Sequence, residues 1–143
     1  KHGADPNSQN KSGRSALQVA LEEGHLTLFK PLVDAGADVN LGDNDGRSLL
    51  IWSIEQGQVD VCKMLIAAGA DLNHKNNFGS TALHKAILHE DGEICKILIE
   101  AGSKLDETNS YGKTALGIAK ENDFADLCLL LIKVGARFEE AYG

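Results

Sequence analysis

Residues 69–84 contain Gly69-Ala70-Asp71-Leu72-Asn73 and then Gly79-Ser80-Thr81-Ala82-Leu83-His84. The first phrase also stands 33 positions earlier as Gly36-Ala37-Asp38-Val39-Asn40, and the second as Gly46-Arg47-Ser48-Leu49-Leu50. Working outward, Gly3, Gly36, Gly69, Gly102 and Gly135 form one series at this spacing, and Gly13, Gly46, Gly79 and Gly112 form another. Two series held in register along the whole chain make it an array of one repeated unit. Four units are read at approximately 10–42, 43–75, 76–108 and 109–141, with 1–9 as the tail of a preceding one, cut from a longer array.

The text between the glycines has helical period. A Ser or Thr that suits a helix start opens each first helix, at Ser15, Ser48, Thr81 and Thr114. A break follows at Gly24, Gly57, Glu90 and Asp123, the last two replacing glycine. Second helices are expected over 26–34, 59–67, 93–100 and 125–133, each ending on the first glycine series, where glycine fits the left-handed closure of a helix. Pro31 interrupts the first of them and predicts a local bend.

This period and text resemble the ankyrin repeat, whose unit is a β-turn plus two antiparallel helices and whose signature contains Thr-Pro-Leu-His; Thr81-Ala82-Leu83-His84 is the nearest copy. Ala16, Leu49, Ala82 and Ala115 stand where the family has Pro, and Gln18, Ile51 and Gly117 replace its His. The resemblance implies an all-α solenoid of stacked helix-turn-helix units with projecting β-turn loops. It also implies a concave surface made by first helices and turn tips.

Composition agrees with an ordinary folded domain: 143 residues, 43% hydrophobic, 24% charged and only 2 Pro. No apolar run approaches the roughly 18 residues of a membrane span. With 14 Lys and Arg against 21 Asp and Glu, the net charge of −7 carries no basic block for nucleic acid. Three cysteines without a secretory signal favour thiols in a reducing compartment, cytoplasmic or nuclear. Cys62, Cys95 and Cys128 hold one place in successive units, which reads as a packing column.

No constellation for catalysis emerges. Gly112-Lys113-Thr114 ends like a phosphate-binding loop, but Glu107 stands where that loop needs glycine. His74, His84 and His89 lack metal spacing, and His84 reads as a loop-bracing hydrogen-bonder. The chain is therefore expected to be no enzyme and to need no cofactor or metal.

The turn tips carry the functional signal. The residue before each second glycine is Ser12, Asp45, Phe78 and Tyr111, and an aromatic on an exposed tip has no packing reason. Near the first-helix ends the pairs are Glu22-Glu23, Glu55-Gln56, Leu88-His89 and Glu121-Asn122, with one apolar member, Leu88. Trp52 reads as core. The expected function is non-catalytic binding of another protein or peptide by a monomeric segment of a larger scaffold. Phe78, Tyr111 and Leu88 would be apolar anchors, with Arg14, Arg47, Lys113, Glu22, Glu23 and Glu55 giving charge register. A structural spacer and a regulatory segment of a larger enzyme remain open. Asn40 and Asn73 follow Leu32 and Leu65 in a pattern that resembles substrates of the asparaginyl hydroxylase acting on ankyrin repeats, which makes them expected acceptor sites.

Overall fold

A hydroxyl opens the first helix of every repeat. The side chains of Ser15, Ser48, Thr81 and Thr114 accept from the backbone N–H of Gln18, Ile51, His84 and Gly117. Each such cap contributes about 1 kcal/mol. The computed structural model describes residues 5–44 and 46–142, and side chains as far as Gly135. Gly3, Asp45 and most of the tail's opening residues therefore lie outside the described residues.

The chain divides into two compact halves, Lys1–Asp71 and Leu72–Gly143. In the first, α1 (Ala16–Glu22) is followed by a 3-10 turn (Leu26–Leu28) running into α2 (Phe29–Asp34), then α3 (Leu49–Glu55) and α4 (Val59–Ala67). In the second, α5 (Ala82–Leu88) pairs with α6 (Gly92–Glu100), and α7 (Ala115–Glu121) with α8 (Ala125–Tyr142). Among the described residues the only bridge of extended type is an isolated one between Gln9 and Ser15. The architecture is all-α, in helix pairs. Leu17, Leu21, Leu49 and Ile54 in the first half, and Leu83, Ile87, Ile94 and Leu98 in the second, are fully buried. Cys95 is sealed among them, and burial, with the Asp91 charge added, pushes its thiol pKa up to about 12. All three cysteines are thiols, and Trp52 is buried.

Closure of the second helices follows one scheme three times. Gly36, Gly69 and Gly102 adopt φ of 102°, 92° and 104°, and the next amide turns back onto the helix: Ala37 to Leu32 at 2.9 Å, Ala70 to Leu65 at 3.0 Å, Ser103 to Leu98 at 3.0 Å.

At Gly135 the expectation fails, because α8 continues through it to Tyr142. At the three closing glycines the next loop begins with turn-forming residues and is held by an asparagine from the preceding loop. Asn7, in the best-served case, accepts from Asp38 N–H at 2.7 Å and donates to the Gly36 carbonyl at 3.1 Å. The matching place for Gly135 is Asp106, which can accept as Asn40 and Asn73 do, but the residues that follow, Ala136 to Tyr142, are mostly good helix formers without an Asn, Asp or Gly signal.

The bend expected at Pro31 is corrected by the structure: the second helix is shortened to Phe29–Asp34 instead of being bent inside 26–34. Pro31 sits in the first turn of α2, where a missing N–H breaks no helical bond, and the preceding residues tighten into the 3-10 turn instead of joining one longer helix.

The inter-helix break keeps its left-handed backbone even without glycine: Gly24 and Gly57 have φ of 81° and 68°, Glu90 and Asp123 of 54° and 58°. Tertiary packing on both sides overrides the local preference. A side chain with a Cβ is disfavoured there by about 1–2 kcal/mol, less for Asp, against roughly 0.5–1 kcal/mol of extra chain entropy lost on ordering glycine. Glu90→Gly should therefore raise stability by about 0.5–1 kcal/mol and the melting temperature by about 2–4 °C, with a smaller gain for Asp123→Gly, in calorimetric unfolding.

Candidate functional site

Each tip is tied to itself by one side chain at its base. Asn76 Oδ1 accepts from Phe78 N–H at 2.9 Å and Ser80 N–H at 3.0 Å; Asn109 does the same for Tyr111 at 2.9 Å and Lys113 at 3.0 Å. In the first half Asn10 holds Ser12 and Arg14, and Asp43 holds Arg47. The third and fourth tips are also joined, by Ser110 N–H to the Phe78 carbonyl at 3.0 Å. The backbone is thus fixed while the side chains project. Phe78 is 66% exposed and Tyr111 76%. Leu88, at the end of α5, is 53% exposed.

The charges read from sequence as separate contacts are largely paired with one another. Arg14 meets Glu22 at 3.2 Å, Arg47 meets Glu55 at 3.3 Å, and Lys113 meets Glu121, each spanning from tip base to helix end. Arg47 also reaches Asp43 at 3.3 Å; burial works against its charge, but Asp43 and then Glu55 outweigh this and raise its pKa above the ordinary value. Gln18 joins the set, donating to Glu22 at 3.0 Å and Asp43 at 3.3 Å. Glu23 caps the end of α1, exposed. In the third repeat the corresponding places are Ser80 and Leu88, so cation and carboxylate are lost together. That coupled loss was readable in the sequence as an eight-residue offset in register.

Asn40 and Asn73 face forward rather than into their own turns. Asn40 Oδ1 accepts from Asp71 N–H at 2.6 Å and Asn73 Oδ1 from Lys104 N–H at 3.0 Å. A second forward brace runs from Lys75, whose ammonium bonds the Thr108 carbonyl at 2.9 Å and Glu107 Oε1 at 3.0 Å; this contact holds the half-buried Glu107 carboxyl below its ordinary range. Among the described residues no group of three His, Cys, Asp or Glu is placed to hold a metal, and no helix is long and apolar enough to cross a membrane.

His84 completes the frame. Its Nδ1 accepts from Thr81 N–H at 2.9 Å, closing a reciprocal cap, so in the neutral ring Nε2 carries the proton and donates to the Glu107 carbonyl at 3.0 Å. The repeated helix pair, the glycine closures, and a Thr-x-Leu-His cap whose imidazole reaches the next loop are now in view together. The family model described as ankyrin repeats (3 copies) matches residues 2–76 and again 68–141. The chain belongs to the ankyrin-repeat family. No curated protein matches it. Ankyrin repeats are in general non-catalytic modules that bind other proteins.

The buried His84 carries a pH signature. Burial lowers its pKa, with the Lys75 charge acting in the same direction and Glu107 opposing. The unfolded chain then takes up a proton below about pH 6.5 while the folded ankyrin repeat does not, so stability is full above that value and is lost as pH falls toward the depressed folded pKa. Denaturant unfolding between pH 7.5 and 5 should show this decline, and His84→Gln should be less stable at pH 7.5 and flatter across the interval.

Proposed function

We propose that this ankyrin-repeat chain is a non-catalytic binding module in which Phe78, Tyr111 and Leu88 anchor a partner protein or peptide. The observation that carries the reading is the exposure of two aromatic side chains, 66% and 76%, on neighbouring tips whose backbones are already hydrogen-bonded. A large apolar group held rigidly in water gains nothing from folding. It gains on association, and the ordering cost of the backbone that carries it is already met. Arg14, Arg47, Lys113, Glu22 and Glu55 contribute as pre-formed ion pairs that set the rim and repel mismatched charge, with exposed Glu23 as the remaining carboxylate.

The wider setting belongs to the same proposal: a monomeric segment of a larger scaffold protein, in the reducing cytoplasm or nucleus, where three thiols persist. Asn40 and Asn73 are proposed hydroxylation acceptors. Modification there would act on side chains that brace the next loop.

The test is titration of a partner isolated by affinity capture. Phe78→Ala and Tyr111→Ala should each weaken binding at least tenfold, about 1.4 kcal/mol, with the melting temperature nearly unchanged. Lys63→Ala and Lys96→Ala, on the second helices, should leave affinity within about twofold. Loss of binding in the lysine variants but not in the aromatic ones would move the partner to the second-helix surface.

A further inference from the structure

We propose that the end of α8 is a strap with two forms. Residues 136–138, helical in this structure, also fold back at Gly135 as the closing turn of the fourth repeat and cover a cavity that the helical form leaves open.

The cavity has a volume of about 670 Å³ and lies within the second half of the chain. Ile99, Leu105, Leu116, Leu131 and Val134 give it apolar walls, and Asp106 is among its polar lining. Leu116 is half-buried there, whereas its equivalents Leu17, Leu50 and Leu83 are no more than 1% exposed.

The three closed repeats say which segment belongs in this place. Past each closing glycine a buried residue turns its amide back onto the helix, Ala37 to Leu32, Ala70 to Leu65 and Ser103 to Leu98. In the fourth repeat the same bond would run from Ala136 N–H to the carbonyl of Leu131, a wall of the cavity. The next amide in each closed turn is served by Asn7, Asn40 or Asn73, 31 residues earlier. Here that amide is Arg137 N–H, and the side chain 31 residues earlier is Asp106, which also lines the cavity. Both points that would hold the turn therefore border the same space. Phe138 stands in register with Val39, Leu72 and Leu105, so the turn would bring a large apolar side chain to the apolar walls.

Gly135 points to the turn independently. In the helix a Cβ at Gly135 would meet nothing within 4 Å, so glycine answers no packing need there, and it is the poorest helix former after proline. Gly69 and Gly102 are equally free of neighbours, and what they supply is the left-handed φ of 92° and 104°. Two preferences thus oppose each other. The helix formers past Gly135 draw the chain along α8, while the glycine, the Asp106 acceptor and the open apolar walls draw it back, and the segment divides between two populations. Turned, it closes the cavity to an apolar guest; helical, it leaves the cavity open.

The test is saturation-transfer NMR on the intact labelled chain, reading the backbone of 135–138 and the methyl groups of Leu105 and Leu116. All should exchange with a second form at one common rate, with helical carbon shifts at 136–138 in one form and non-helical shifts in the other. Gly135→Ala, which the helix accepts without a clash, should lower the turned population at least tenfold. Asp106→Ala should lower it at least threefold, while Asp106→Asn, which keeps an acceptor, should leave it within about twofold. Exchange confined to 136–142 that bypasses Leu105 and Leu116 and ignores Asp106→Ala is fraying of the helix end and would overturn the strap. A single helical set of shifts throughout, or exchange that Gly135→Ala leaves unchanged, would overturn it as well. Exchange that grows with protein concentration would put a second copy of the chain in the cavity in place of the strap, and so count against it.

Discussion

The amide two residues past a closing glycine points away from its own helix and needs an acceptor, and an asparagine 31 residues earlier supplies it. Asn7 serves Asp38, Asn40 serves Asp71, and Asn73 serves Lys104. Each bond ties one loop to the next within its half, so it fixes the register in which successive tips emerge. Without it the left-handed glycine would end a helix but would not say where the following loop lies. Gly135 shows that glycine alone does not stop a helix: α8 runs through it, although Asp106 in the bracing place could also accept, because no Asn, Asp or Gly follows to start a loop. Glycine permits the turn, and the asparagine fixes it.

From that register follows the arrangement of charge. A cation at the tip base and a glutamate at the end of the first helix meet only because loop and helix are held at one height, and they meet in three repeats. Such pairs add little stability in water. Their consequence is a first-helix face whose charges are mutually occupied, so that the third repeat, with Ser80 and Leu88, differs in kind from its neighbours. The fold makes the repeats equivalent, and the proposed recognition depends on the place where equivalence is broken.

The helix pairs, their caps and three of four closures were legible in the sequence, because each depends on residues adjacent in the chain: a hydroxyl three residues before the amide it caps, a glycine at a required φ. The burial of Cys62 and Cys95 and the bracing role of His84 were legible for a related reason, since 33-residue equivalence converts sequence position into place in the repeat. What local pattern could not give was the forward reach of side chains. Asn40 reads as a turn residue and proves to hold Asp71; Gln18 reads as a replaced histidine and proves to bind Asp43. Glu90 and Asp123 raise the opposite problem, since their side chains argue against a left-handed turn that the packing of both helices imposes. Of the candidate site, the exposed apolar residues were visible from the start, whereas the pairing of Arg14, Arg47 and Lys113 needed geometry.

The central claim, that the forward asparagine fixes the loops carrying the tips, is tested most directly by amide hydrogen exchange on Asn73→Ala. The bond it removes is one from Lys104 N–H at 3.0 Å, whose loss should cost about 1–2 kcal/mol locally. The account predicts that the Lys104 amide loses protection at least tenfold and that the bond from Ser110 N–H to Phe78 loosens with it, while amides inside α5 exchange as before. Unchanged protection at Lys104 and Ser110 would contradict it, and would mean that helix packing alone sets the loops.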